Sequence, residues 1–218
     1  MRLKILYDNE ALSGYLNDWG FSCLVEHSNR MILFDTGKDG KILLRNMEMA
    51  GIEKEEIDTV VLSHNHRDHT GGLVHVAHPN LTVYVPVSFA KQIEMETKKI
   101  GPVIEVKDPT RIDKGVHTTG ELGTSIIEQS LVVESDRGLV LITGCAHPGL
   151  ENIIDTAKKL GDICCVVGGF HTFYELEKLS DIRLISPCHC TSRKVDIRRI
   201  YPEACVECAA GKTIDFKS

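Results

Sequence analysis

The chain has 218 residues, a length that supports one well-buried core and falls short of two comfortable domains. Apolar residues make up 42% and charged residues 26%, which excludes a disordered or fibrous chain. A formal charge of −6 gives no general attraction for nucleic acid or an anionic membrane, and no run approaches the ~20 apolar residues of a membrane span.

Leu3–Leu6 reads as a strand, and Phe21–Glu26 with Met31–Phe34 as a hairpin turning at Ser28, Asn29 and Arg30. Ile42, Leu43, Leu44, Met47 and Met49 fall in a helical stretch that Gly51 closes. Thr59–Leu62 is a short buried strand leading into LSHNHRDHTGG (62–72). Leu81–Val85 reads as strand, Ser88–Lys99 as helix, and Val103–Val106 and Ile126–Val133 as strands. Leu131–Glu134 and Gly138–Ile142 form a second hairpin turning at Ser135, Asp136 and Arg137. Helix Leu150–Leu160, strand Ile163–Val167, strand Ile182–Ile185 and helix Arg193–Ile200 follow. Strands and helices occur in both halves, which predicts packed sheets with helices outside, an α/β (α+β) architecture. With no low-complexity linker, residues 1–218 read as a single domain. The N-terminal MRLKILYDNEAL lacks the apolar core and cleavage site of a signal peptide, so a cytoplasmic setting is expected, with the eight cysteines mostly thiols.

His64 and His66 follow a strand, where residues two apart point to the same side. Two imidazoles aimed at one point supply two legs of a tetrahedral metal site. Asp68 and His69 lie further round the turn and suit a neighbouring site. His147 follows the strand Leu139–Ile142, His171 follows Ile163–Val167 and His189 follows Ile182–Ile185. Each sits just past a strand's carboxyl end, the edge where α/β sheets place their ligands. Any one alone is more often a structural histidine, but four strand ends with the same feature predict a shared site. Asp35, in FDTG, reads either as a turn aspartate or as a carboxylate orienting a ligand histidine. His27, His75 and His78 read as surface residues, and Cys188 and Cys190 as packing residues beside His189. Cys205 and Cys208 form a lone CxxC, weak evidence for structural zinc or a redox pair. The loop Ser13–Gly20, with Tyr15 and Trp19, and the segment from His75 to Gly144 are expected to shape the pocket.

FDTG at Asp35, HNHRDH at 64–69, and later histidines at 147 and 189, in that order, resemble the metallo-β-lactamase superfamily over nearly the whole chain. LFDTG, VVLSHNHRDHTGGL, TTGEL, ITGCAHPGLENI, VVGGFH and PCHCT are similar to a subgroup labelled dihydropteroate synthase-related, or dihydropterin–ribofuranosyl-aminobenzene phosphate synthase. The resemblance implies an αββα four-layer sandwich with the site at one edge of the paired sheets. It implies His64, His66 and His147 as ligands of a first metal, and Asp68, His69 and His189 as ligands of a second. Many members bridge the two ions with an aspartate, and His171 stands at about that place here. A neutral imidazole offers one lone pair and cannot bridge as a carboxylate does, so His171 either ligates one ion or handles protons beside the site. The implied cofactor is one or two divalent ions, Zn2+ first, with Mn2+ or Fe2+ as alternatives.

Such an ion lowers the pKa of bound water toward ~7 and stabilises charge on a phosphoryl oxygen. Asp68 is expected to orient the hydroxide and His171 to protonate a leaving group. Thr191 and Ser192 are expected to cap the helix carrying Arg193 and turn its amides on the substrate as a phosphate cradle, and Pro148 is expected in the first turn of the helix after His147. Arg67 would add a positive charge. The expected function is a metal-dependent hydrolase acting on a phosphoester or related small anionic substrate. One alternative is the condensing transferase of methanopterin biosynthesis implied by the subgroup, forming a C–C bond with pyrophosphate release. Another is a non-catalytic metal or redox protein. No nucleic-acid or membrane partner is expected, and a homo-oligomer stays open.

Overall fold

The computed structural model describes residues 1–97 and 100–216. Strands β1 (Arg2–Tyr7), β2 (Ser22–His27), β3 (Arg30–Phe34), β4 (Thr59–Val61), β5 (Thr82–Pro86) and β6 (Val103–Val106) form one sheet in chain order, with β13 (Thr213–Asp215) on the outer edge of β1. A second sheet runs β12-β11-β10-β9-β8-β7, from β12 (Leu184–Cys188), β11 (Ile163–Gly169), β10 (Gly138–Thr143), β9 (Leu131–Ser135), β8 (Val116–Thr118) and β7 (Thr110–Asp113). Alternation along each strand sorts side chains to two faces. Ile32 and Phe34 of β3 meet Val140 and Ile142 of β10 in the core between the sheets, while Leu33 and Leu141 point outward.

Each outer face is covered by helices. Leu33 packs with Leu43 and Met47 of α1 (Gly40–Met49), Leu73 and Val76 of α3 (Leu73–Val76), and Ala90 of α4 (Val87–Glu96). A short α2 (Arg67–Thr70) lies within the histidine-rich run. On the other side Leu150, Ile153, Ile154 and Ala157 make one stripe of α5 (Leu150–Ala157), and Ile197 of α6 (Lys194–Ile200) joins them. The architecture is an αββα sandwich. Strands β3 to β6 are parallel, as are β10 to β12, so the carboxyl ends of β3, β4, β10, β11 and β12 gather at one edge.

Several boundaries differ from those the sequence predicts. The strand expected over Ile126–Val133 begins only at Leu131, because Glu128 and Gln129 turn inward to make buried hydrogen bonds. The strand expected at Ile182–Ile185 runs over Leu184–Cys188, and Ile182 is buried in the preceding turn. Strands β7, β8 and β13 are short and polar, and alternation gives no warning of them. Helix α5 stops at Ala157 and α6 starts at Lys194; the expected end of the α4 helix at Lys99 lies outside the described residues. His78 is buried, its Nε2 3.1 Å from the Ile57 carbonyl, and is no surface residue. Cys188 forms a disulfide with Cys208, so it does more than pack and Cys208 does not pair with Cys205; the other six cysteines are free.

Candidate metal centre

The chain leaves β3, β10, β11 and β12 through sharp bends. Asp35 (φ 57°), Ala146 (φ 59°), His171 (φ 46°) and His189 (φ 43°) all adopt the left-handed conformation that costs an L-residue about 1–2 kcal/mol. Such strain persists only where the surroundings enforce it, and here it falls at the ends of strands on the gathered edge. Gly144 permits a still closer approach: a Cβ there would lie 2.2 Å from Ser63 Oγ.

Two of the potential ligand groups that result are the expected histidine and aspartate sets. The ligand atoms of His64, His66 and His147 lie within 4.8 Å of one another, as do those of Asp68, His69 and His189. His64 Nε2 is 3.0 Å from His66 Nδ1, and Asp68 Oδ2 is 3.2 Å from His189 Nε2. The groups adjoin, since the His64 and His69 ring centroids are 4.3 Å apart.

The opposite ring nitrogens are held from behind. Asp35 Oδ2 lies 2.7 Å from His69 Nδ1 and accepts from Ser63 Oγ at 2.7 Å; Ser63 Oγ in turn lies 2.8 Å from His64 Nδ1. Glu128 Oε2 is 2.9 Å from His147 Nδ1, and Asn9 Oδ1 is 3.0 Å from His189 Nδ1. These acceptors place the proton on Nδ1 of His64, His69, His147 and His189, which leaves each Nε2 lone pair facing the centre. His66 alone turns Nδ1 inward.

Burial, reinforced by neighbouring His189, lowers His69 to about 3, and burial with His69 beside it lowers His64 well below the usual histidine range. Both rings are therefore neutral and ligand-ready. Burial works to raise the Glu128 carboxyl, but the His147 ring and the loop amides bring it down to about 2. Burial works against ionisation of Asp68 too, but His189 and His69 pull it below the usual carboxylate range. Burial pushes Asp35 well up, opposed by the Ser63 hydrogen bonds.

The donor set fits divalent metal. His189 Nε2 is buried and makes no hydrogen bond, despite its proximity to Asp68, and a lone pair left that way wants a cation. Imidazole with one carboxylate suits Zn2+, Mn2+ or Fe2+.

A crystal structure described as that of a metal-dependent hydrolase of the β-lactamase superfamily superposes with a TM-score of 0.81 at 28% identity, covering 100% of both chains. A family model described as a β-lactamase superfamily domain matches residues 30–149. The chain belongs to the metallo-β-lactamase superfamily. Two relatives come from Methanocaldococcus jannaschii. One, described as uncharacterized, is 30% identical over 88% of this chain and 91% of its own. The other, 7,8-dihydropterin-6-methyl-4-(β-D-ribofuranosyl)-aminobenzene-5′-phosphate synthase, is 28% identical over 98% of this chain and 97% of its own.

Other expected site residues fall in different places. His171 is exposed at the rim, its ring 5.3 Å from that of His147, and joins neither triad. It lines a cavity of about 260 Å³ with His147, Phe173 and Tyr174. Thr191 and Ser192 do not cap α6, whose N-cap is Arg193 without a side-chain bond. Thr191 Oγ1 donates instead to the Cys188 carbonyl and accepts from the Phe170 amide, and Ser192 Oγ donates to the His171 carbonyl. Both tie the β11 and β12 ends together, so no phosphate cradle forms there. Pro148 lies before the Gly149 N-cap of α5 and not in its first turn. Arg67 lines a groove with Asn65, Gln92 and Ile93. Trp19 packs at a tilt beside His189, ring centroids 4.7 Å apart, and is half exposed, whereas Tyr15 covers Gly211.

Sequence reasoning missed Glu128, Ser63, Asn9 and Asp8, whose Oδ1 accepts from the His189 amide. Asp8 and Asn9 follow β1, so the strand-end rule applied to acids and amides would have found them. Cys145 precedes His147 by two residues, and its Sγ lies 3.2 Å from His69 Nε2.

Proposed function

We propose that this protein is a metal-dependent hydrolase acting on a phosphoester or a related small anion. The observation that carries this reading is the pairing of two adjoining triads, one opening to solvent at exposed His66 and the other buried at His69 and His189. In this reading His64, His66 and His147 hold one divalent ion and Asp68, His69 and His189 a second, with Zn2+ the first choice. Bound ions would supply hydroxide at neutral pH and neutralise charge on a phosphoryl oxygen.

The chain's own residues do the rest. Asp35 and Glu128 keep the ligand rings in one tautomer and one orientation. Asp68 directs Oδ2 at His189 and keeps its second oxygen to orient an attacking water. His171, at the rim with its Nδ1 3.3 Å from Thr172 Oγ1, donates a proton to the leaving group. Trp19 walls the side nearest His189. With the Thr191 and Ser192 hydroxyls turned to other partners, recognition of the anion falls to the ions and His171. The protein acts in the cytoplasm on a small molecule, without a nucleic-acid partner.

The test is incubation of Zn2+- or Mn2+-loaded protein with bis(4-nitrophenyl) phosphate and 4-nitrophenyl phosphate. Nitrophenol release that falls at least 100-fold in His66→Ala is expected. No release by protein shown to hold metal would sink the hydrolase. A second reading, a condensing synthase, is favoured by the synthase relative from Methanocaldococcus jannaschii and by the half-exposed Trp19 ring beside His189, which suits a planar ring. Pyrophosphate release from a dihydropterin pyrophosphate, with no phosphoester turnover, would support it.

A further inference from the structure

We propose that Cys145 is a thiolate ligand of the metal centre, placed between the two ion positions where His171 was expected to stand. The inference rests on the two-triad reading above and adds a sulfur donor to it.

Cys145 is 3% exposed, yet its sulfur does not face only apolar neighbours. Sγ lies 3.2 Å from His69 Nε2, and its ligand atom falls within 4.8 Å of those of both His64 and His69. Those two histidines belong to different triads. Cys145 groups again with His189, from the second triad, and with Cys190. A donor that reaches a member of each set occupies the junction between them, and a thiolate, unlike an imidazole, has lone pairs for two ions.

The backbone around Cys145 is held for this placement. Glu128 Oε1 accepts from the amides of Gly144, Cys145 and Ala146 at 3.1, 2.9 and 2.9 Å. The left-handed Ala146 then reverses the chain between Cys145 and His147, so that both side chains turn to the centre. Packing alone would not call for a sulfur against the Nε2 lone pair that Asp35 has fixed on His69. In the metal-free molecule that lone pair accepts the S–H. On coordination the thiol proton passes to the buffer, and the sulfur and nitrogen lone pairs both turn to the ion; metal-bound thiols lose their proton outright. The disulfide of Cys188 with Cys208 takes those two sulfurs out of consideration, which leaves Cys190 as the one competitor near the centre among the described residues.

Titration of Co2+ into metal-free protein tests the assignment. The expected result is visible d–d bands together with near-ultraviolet thiolate-to-cobalt charge transfer, the latter lost in Cys145→Ser and kept in Cys190→Ser. Visible bands without charge transfer would overturn the sulfur ligand and leave the histidine triads standing. Charge transfer that survives Cys145→Ser but not Cys190→Ser would overturn it in favour of Cys190. Absence of both signals would overturn it together with the metal reading beneath it. X-ray absorption of the Zn2+-loaded wild type needs no variant: a sulfur scatterer at about 2.3 Å is expected, and a shell of nitrogen and oxygen alone overturns the assignment.

Discussion

Glu128 touches no substrate position, yet the amides of Gly144, Cys145, Ala146 and His147 and the Nδ1 of His147 all converge on its buried carboxylate. A carboxylate there accepts everything offered, whereas a glutamine must present an NH2 group to one set of donors. Glu128→Gln therefore leaves buried donors unpaired, at about 1–3 kcal/mol each, and frees the His147 ring to rotate. The expected outcome is metal affinity reduced about 10- to 100-fold, measured by competition with a chromogenic chelator. Urea unfolding of the metal-free protein should show the accompanying loss of stability. Unchanged affinity would mean that Glu128 serves only the loop. Its role was hidden in the sequence because IIEQSLVV reads as one strand; a charge and an amide inside such a run were the available signal. The histidines were legible because each follows an apolar strand, and the residue-level failures share a cause. Thr191 and Ser192 have the chemistry of helix caps, but carbonyls of the neighbouring strand ends compete for the same hydroxyls and win.

The elements that were legible are those whose apolar pattern reports burial on its own. Helix α5 shows its stripe, β3 and β10 are short apolar runs buried on both faces, and the Ser28–Asn29 turn has the left-handed pair of a tight hairpin. Strands β7, β8 and β13 were not legible because a pairing partner, and not an apolar face, makes them strands. The ends of β4 and β10 matter most, and Gly144 is where they can be tested against each other. In Gly144→Ala the new methyl would fall against Ser63 Oγ and break the path from Asp35 through Ser63 to His64. Overpacking of this kind costs about 1–3 kcal/mol, and metal affinity should fall with it. Gly51→Ala is the control. It has open space around the new methyl but a φ of +70°, so about 1 kcal/mol of stability is lost with affinity unchanged. Equal effects on affinity from both variants would show that general destabilisation, and not the Ser63 contact, is at work.

Across the whole molecule, each triad draws on both sheets. His64, His66, Asp68 and His69 follow β4 of the first, while His147 and His189 follow β10 and β12 of the second. An ion in either triad therefore joins the two halves of the sandwich across its open edge, and one in the second triad satisfies the His189 nitrogen that otherwise goes without a hydrogen bond. Such an ion binds the folded chain and not the unfolded one, so it stabilises by about 2.7 kcal/mol when free metal is 100 times its dissociation constant. For a chain of this size that converts to a rise of roughly 5–10 °C in Tm. Calorimetry with Zn2+ against excess chelator should show this rise. His147→Ala should abolish binding at the first triad and lower the metal content by one equivalent, and His189→Ala should do the same at the second. If the centre holds a single ion shared by both triads, either variant removes all of the metal and all of the stabilisation. Two independent ions instead leave one equivalent and part of the rise in each. A Tm indifferent to metal in the wild type would remove the physical link between the centre and the fold.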